Sequence, residues 1–143
     1  MLAQVKRSPP WCMGLVMLLA AAASAEEPVM PPSEPEESIS VKIRARAFEP
    51  STIVLHAGRK IRLTFQNQDA ELHAFVPLSG LFDGVNLNLG GNGAPEFGAE
   101  GFKRVIIPSD GRAEFRFVSD RPGSYPFICD MPGHNMRGTI LVE

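Results

Sequence analysis

Hydrophobic and polar residues alternate in short runs along residues 39–143, and turn residues separate the runs. In the first run, residues 39–47, Ile, Val and Ala occupy every second position, with Ser, Lys and Arg between them. A period of two is typical of a strand that buries one face. Further runs predict strands at residues 52–55, 61–66, 73–77, 102–107, 113–118, 124–129 and 138–142. Seven or eight short strands, without an amphipathic helix of three turns, predict an all-β antiparallel β-sandwich or small barrel.

The segment of residues 78–101 departs from this alternation because it is rich in glycine and asparagine. We expect a long loop with little regular structure of its own. Loops of this length inside a compact domain are more often functional than idle.

The N-terminus has the organisation of an export signal. Lys6 and Arg7 precede the apolar run of residues 13–23, and Ala-Ser-Ala at residues 23–25 forms a small-residue cleavage site. The run is shorter than the roughly 20 residues that a membrane-spanning helix needs. We therefore predict a cleaved signal peptide at residues 1–25, export to the periplasm or an equivalent compartment, and no stable membrane insertion after cleavage. An uncleaved N-terminal anchor is the alternative.

Composition then limits the domain count and the class of partner. Residues 26–38 contain four prolines and five glutamates, which predicts an acidic, Pro-rich linker that does not fold alone. The 143-residue chain is 44% hydrophobic and 21% charged, which suits one domain, at residues 39–143, with appendages. Its net charge of −2 excludes the concentrated basic excess of a nucleic-acid-binding protein.

Signal cleavage would leave Cys129 as the one cysteine, because Cys12 lies within residues 1–25. Exported proteins occupy oxidising compartments, where cysteines are normally paired. An unpaired cysteine there indicates intermolecular pairing, a reactive thiol or a metal ligand.

The segment of residues 129–136, Cys-Asp-Met-Pro-Gly-His-Asn-Met, holds a concentration of metal-binding side chains. Its Pro-Gly pair predicts a chain reversal that would let Cys129 and His134 converge. His73 would reach the same point from a distant strand, and Met136 is the best-placed methionine. Separately, these residues could be ordinary core and turn residues, but together with the lone cysteine they favour a metal site.

The donor set indicates the metal. One thiolate and two imidazoles with a weak thioether suit an electron-transfer copper site, whereas a structural zinc site usually has four strong Cys or His ligands. His56 is not spaced from the other candidate ligands in a way that is typical of a metal site, so we predict that it is a surface residue.

Residues 123–142 read GSYPFICDMPGHNMRGTILV and resemble the C-terminal signature of the cupredoxins, the small blue (type 1) copper proteins such as azurin, plastocyanin and amicyanin. Residues 48–73 resemble the N-terminal half of the same fold. The resemblance implies a Greek-key β-sandwich that binds one mononuclear copper ion. It also implies that His73, Cys129 and His134 are the equatorial copper ligands and that Met136 is the axial one.

Three departures from the cupredoxin pattern affect the site. A single residue separates His134 from Met136, where relatives have two to four, so Met131, a carbonyl oxygen or no axial ligand are alternatives. Ala74 replaces an asparagine that commonly braces the ligand loops, and Asp130 replaces a common Ser or Thr. A carboxylate near the thiolate and a looser surrounding favour Cu(II). We therefore expect a lower reduction potential than in a typical blue copper protein.

The resemblance implies a periplasmic one-electron carrier rather than an enzyme. A copper chaperone or storage protein, a copper-containing accessory subunit of an oxidase, and a small copper enzyme in which Glu71 or Asp130 takes part are the alternatives. The expected partners are redox proteins, a cytochrome or an oxidase. Without Lys6 and Arg7 the net charge becomes −4, which favours a basic partner.

Relatives dock their partners on an apolar patch around the second histidine. The residues expected to form it here are Met131, Pro132, Gly133, Leu78, Leu81 and Phe82.

Overall fold

Two β-sheets account for the regular structure of residues 34–143, the part of the chain that the computed structural model describes. In spatial order, the first sheet contains β2 (Ala47–Glu49), β1 (Glu37–Arg44), β4 (Lys60–Asn67), β9 (Arg112–Val118) and β6 (Asn88–Gly91). The second contains β3 (Thr52–Leu55), β11 (Met136–Val142), β10 (Gly123–Cys129), β5 (His73–Pro77), β8 (Gly101–Ile107) and β7 (Ala94–Gly98). The predicted all-β sandwich is confirmed.

The N-terminal predictions fall largely outside this range. The predicted signal peptide and residues 26–33 of the predicted linker lie outside the described residues, and β1 begins at Glu37, within the range predicted as linker. Within the described part of the chain, no helix has the length and hydropathy needed to cross a membrane.

The sandwich has eleven strands rather than the predicted seven or eight. Every predicted run contains a strand, but the first run ends at Arg44 rather than at residue 47, because Ala45 and Arg46 form a turn. Strands β2, β6 and β7 are additional. Both β6 and β7 lie in the glycine-rich segment predicted as a loop, where β6 pairs with β9 and β7 with β8. Pairing with a neighbouring strand thus outweighs the low strand propensity of glycine and asparagine. The sheets are also mixed, because β1 pairs parallel to β4 and β3 parallel to β11.

Aromatic packing joins the two sheets. Each ring of the cluster contacts other rings in it at centroid separations of 4.5–6.0 Å. Its members, all buried, are Phe48, Phe65, Phe75, Phe115 and Phe127. Because these residues come from β2, β4 and β9 on one side and from β5 and β10 on the other, the cluster fixes the strands that lead to the predicted ligands.

The inward-facing row of β4 ends in a polar residue. Ile61, Leu63 and Phe65 are followed at the same spacing by Asn67, which is fully buried. Its side-chain amide donates to the carbonyls of Glu71, Ile107 and Pro108 at 2.8, 3.1 and 3.0 Å, and its side-chain oxygen accepts the Asp69 N–H at 3.0 Å. Asn67 therefore closes the loop between β4 and β5 and ties it to the end of β8.

Replacing Gly138 by alanine should destabilise the fold. Gly138 lies opposite Phe127 in the β10–β11 register, and an added Cβ would overlap the buried Phe127 ring. We expect Gly138→Ala to lower the free energy of unfolding by about 1–3 kcal/mol, the usual cost of overpacking a core. Denaturant unfolding of the metal-free protein measures it. Gly98→Ala is the control, because no atom beyond its two chain neighbours lies within 4 Å of a Cβ there. Equal losses in the two variants would contradict the prediction.

Asn67→Ala should also destabilise the protein, since it leaves buried carbonyl groups without their donor. An unsatisfied buried polar group costs about 1–3 kcal/mol, so we expect the free energy of unfolding to fall by at least that amount. A lower midpoint of denaturant unfolding measures this loss. The matched control is Asn86→Ala, at an exposed position. An unchanged midpoint for Asn67→Ala would show that the loop closes without this amide.

Candidate metal centre

The structure brings His73, Cys129 and His134 together at one end of the second sheet. His73 is the first residue of β5, Cys129 is the last residue of the neighbouring β10, and His134 lies in the connection to β11. The Cys129 Sγ is 3.9 Å from Nδ1 of His73 and 3.5 Å from Nδ1 of His134. The three potential ligand atoms all lie within 4.8 Å of one another.

A tight chain reversal places His134 beside Cys129. Gly133 has a φ of 77°, a conformation that glycine adopts without steric cost, and the His134 N–H donates to the Met131 carbonyl at 3.0 Å. The reversal predicted from Pro132 and Gly133 is therefore present, and His134 faces back toward the end of β10.

Both predicted methionine candidates lie in this region. Met136 is buried and is the strand partner of Cys129 in the β10–β11 register, whereas Met131 is half-buried within the loop. Because Met136 lies directly opposite Cys129 on the neighbouring strand, the register favours Met136 over Met131 as the axial ligand. Its axial role stays a prediction.

The separations of the ligand atoms fit one metal ion. Metal bonds of about 2.0–2.1 Å to imidazole nitrogen and about 2.3 Å to thiolate sulfur place a trigonal nitrogen and sulfur about 3.8 Å apart. The observed Sγ–Nδ1 separations of 3.9 and 3.5 Å are close to that value. A set of one thiolate and two imidazoles is also the equatorial donor set of electron-transfer copper sites.

Burial shields this cluster from water. His73 is fully buried, Cys129 is 3% exposed and the side chain of His134 is 6% exposed. Water is thereby kept from the ligand atoms, and the surrounding packing holds the side chains in place. Such a closed arrangement suits a resident metal whose ligands do not exchange with solvent.

Two carboxylates hold the outward nitrogens of the histidines. Asp69 Oδ2 is 2.8 Å from Nε2 of His73, and Glu71 Oε2 is 3.3 Å from Nε2 of His134. A carboxylate on one ring nitrogen fixes the tautomer and orientation of the ring, which leaves the other nitrogen for a metal. Here that arrangement directs both Nδ1 atoms toward Cys129.

Sequence analysis missed Asp69 and considered Glu71 only as a possible catalytic group. The available signal was the alternation of Asp69, Glu71 and His73 at every second position. This spacing matches side chains on one face of an extended segment.

The turn between β1 and β2 supports the same carboxylates. Ala45 and Arg46 have φ values of 51° and 55°, which are uncommon for residues other than glycine, and both backbone N–H groups donate to Asp69 at 2.8 and 3.0 Å. The Arg46 guanidinium makes two hydrogen bonds to the Glu71 carboxylate. The hairpin is thereby attached to the loop that carries His73.

These contacts keep both acids ionised. Burial opposes ionisation of Asp69, but hydrogen bonds from the backbone of Arg46 and Ala45, together with His73, outweigh it and lower its pKa. For Glu71, the hydrogen bond from the Arg46 guanidinium is the main cause of a lowered pKa.

The Cys129 sulfur also accepts a backbone hydrogen bond. The Ala74 N–H lies 3.3 Å from Sγ. Ala74 has no side chain able to brace the ligand loops, and the buried amide of Asn67 braces the loop before His73 instead. Hydrogen bonding around a ligating sulfur is one of the features that tune a copper site.

Asp130 is paired away from the cluster. Its carboxylate accepts a hydrogen bond from Arg104 at 2.8 Å, and Arg104 also pairs with Glu96. Arg104 is thus shared between two carboxylates, Asp130 and Glu96. The carboxylates that contact the predicted ligands are Asp69 and Glu71.

Other singled-out residues lie elsewhere. His56 is exposed, as predicted, and its Nδ1 is 3.0 Å from a Glu37 carboxylate oxygen. The expected apolar patch was wrong in part: Leu81 is 1% exposed, and the half-buried Phe82 stacks on Phe115. Leu78 is 55% exposed. The hydrophobic core thus takes two of the six residues expected at the surface.

Comparison with solved structures shows the same fold in two auracyanins and in amicyanin. Auracyanin A, a "blue" copper protein from the green thermophilic photosynthetic bacterium Chloroflexus aurantiacus, superposes with a TM-score of 0.57 at 17% identity, over 76% of this chain and 100% of its own. Auracyanin B gives 0.54 at 22% identity, over 75% and 88% of the two chains. An amicyanin variant in its reduced Cu(I) form gives 0.51 at 20% identity, over 74% and 82%. At these identities the likeness shows the fold.

Sequence comparison gives the family. No curated protein sequence matches the chain significantly. The family model described as the cupredoxin-like domain matches residues 12–142, which is most of the chain. The chain therefore belongs to the cupredoxin-like family.

Proposed function

We propose that the protein holds one copper ion between His73, Cys129 and His134, with Met136 as the axial ligand, and acts as a one-electron carrier. The observation that carries this proposal is the convergence of one buried sulfur and two Nδ1 atoms within 4.8 Å. The copper named for auracyanin A and amicyanin, which share the fold, supports the same metal.

Copper bound there would supply a centre that accepts one electron from a donor protein and passes it to an acceptor. The chain's own contribution is to keep the ligand positions unchanged between the two oxidation states. Asp69 and Glu71 fix the imidazole rings, Asn67 fixes the loop before His73, and the aromatic cluster fixes β5 and β10. Ligands held in one geometry need little rearrangement when the charge of the metal changes.

The proposed docking surface for a redox protein surrounds the two histidines. Leu72 precedes His73 and is 51% exposed, and Pro132 and Gly133, which precede His134, are also exposed. The imidazole centroids are 4.8 Å apart, so these exposed residues flank the same centre. A small apolar contact suits the brief encounters of a carrier with a cytochrome or an oxidase, in which charge governs the association rate.

The proposed location is the periplasm or an equivalent exported compartment. This part rests on the N-terminal pattern of Lys6, Arg7, the apolar run and the small-residue site at residues 23–25. Signal cleavage would leave Cys129 as a lone thiol, and its use as a metal ligand agrees with an oxidising compartment.

Copper delivery or storage is the second candidate, and the closed site argues against it. A delivery protein needs ligands that an acceptor can reach, whereas Cys129 and His73 are buried here. A store of Cu(I) would be colourless and would transfer its metal to a chelating acceptor. A carrier would retain the copper and cycle between two states.

The copper-loaded protein should show an intense visible thiolate-to-Cu(II) band that Cys129→Ser abolishes. The band needs a thiolate ligand, and serine provides a hydroxyl group instead. Optical and electron spin-resonance spectra of the oxidised protein measure the metal, its geometry and this ligand together. His56→Ala is the control, because His56 is exposed and pairs with Glu37 away from the ligand cluster. Retention of the band in Cys129→Ser, or its absence from the parent protein, would overturn the proposal.

Two methionine variants should identify the axial ligand. If Met136 is that ligand, Met136→Leu should raise the reduction potential and alter the spin-resonance spectrum, because the axial ligand tunes the potential of such sites. Met131→Leu removes the same thioether from the loop and should leave both quantities close to the parent values. Reversed results would assign the axial position to Met131.

A further inference from the structure

Arg46, Asp69 and Glu71 form a charged network behind the proposed copper ligands. We propose that this network is a positioning unit that sets the reduction potential of the site: Asp69 and Glu71 act through the outward nitrogens of His73 and His134 to stabilise the oxidised form, and Arg46 opposes them. This inference rests on the proposed copper site at His73, Cys129 and His134.

The first step of the argument is that each carboxylate contacts a different ligand ring. Asp69 is 2.8 Å from Nε2 of His73, and Glu71 is 3.3 Å from Nε2 of His134. A carboxylate in that position raises the basicity of the imidazole, and such outer partners typically change metal affinity by about 10–100-fold. The network therefore reaches both histidine ligands.

The second step is that the carboxylates do not form a cation site of their own. Asp69, Glu71 and His73 place ligand atoms within 4.8 Å of one another. However, both oxygens of Asp69 accept backbone N–H groups of Ala45 and Arg46, and both oxygens of Glu71 accept hydrogen bonds from the Arg46 guanidinium. Arg46 already supplies the positive charge that a metal ion would bring.

The third step gives the sign of each contribution. Negative charge beside the site favours the more highly charged cupric state, so removing a carboxylate should raise the potential. Arg46 Nη2 donates to Glu71 Oε2, the same oxygen that contacts Nε2 of His134, so its positive charge offsets the effect of that carboxylate. Removing Arg46 should therefore lower the potential. Glu71 and Arg46 are 39% and 53% exposed, so solvent screens both and their effects should be moderate.

The test compares single substitutions in this ion pair with those in a matched pair. Arg44 and Glu49 form an ion pair at 2.9 Å in the same hairpin, and neither contacts a predicted ligand. Glu71→Gln and Arg46→Gln are therefore compared with Glu49→Gln and Arg44→Gln, which change the net charge equally. Potentiometric titration of each copper-loaded full-length protein gives the potential, and thermal unfolding of the metal-free protein verifies folding.

We expect Glu71→Gln to weaken Cu(II) binding relative to Cu(I) by about tenfold, which raises the potential by about 59 mV. Arg46→Gln should shift the potential in the opposite direction. The double substitution should lose most of the Arg46 effect, because that effect acts through Glu71. The control variants should shift the potential much less than their counterparts.

A merely structural role for the network would move both variants in the same direction or would match the control shifts, and either result overturns the inference. If one single variant does not fold, the double variant compared with the Arg44→Gln, Glu49→Gln double control decides the question. An intact visible band and reversible cycling in the parent protein, without opposite shifts, would refute this inference alone. Absence of the band from the parent protein would refute the copper proposal itself.

Discussion

The orientation of two imidazole rings is the constraint on which the site depends. Each ring has two nitrogens, and the proposed copper site requires Nδ1 of both to face one sulfur. Carboxylates on the outward Nε2 atoms enforce this orientation, because they hold each ring from behind. If either ring turned over, the cluster of sulfur and two nitrogens would be lost even though every ligand residue was present.

The β-sandwich sets the orientation of these rings, because its strands position both the histidines and the carboxylates behind them. β5 and β10 are neighbours in one sheet, so His73 and Cys129 start from positions that the sheet fixes. The carboxylates depend on the other sheet, since Asn67 of β4 closes their loop and the turn between β1 and β2 supplies the donors to Asp69. Side chains and backbone groups from both sheets therefore meet at the same end of the sandwich. The aromatic cluster between the sheets holds the two sheets in a fixed relative position.

The strands that the sequence predicts correctly are those with a clear inward row of apolar residues, such as β4 and β9. The edge strands β6 and β7 were missed because their side chains are mostly exposed and their glycines carry no period. The three proposed equatorial ligands can be predicted from the sequence, because a thiolate and two imidazoles are together the donor set of few sites other than an electron-transfer copper site. Asp69 is not identified, because its alternation with Glu71 and His73 is also typical of any extended segment and does not by itself indicate a contact with a ligand ring.

The sequence by itself determined the all-β class, the positions of eight strands and the identity of the candidate ligands, because these depend on local periodicity and on side-chain chemistry. Only the tertiary structure decided which groups stand behind the ligands. The pairing of Asp130 with Arg104, and of Glu71 with Arg46 and His134, joins residues brought together by strands far apart in the chain. No local pattern encodes such contacts, because they follow from which sheet edges and turns the fold places at one end.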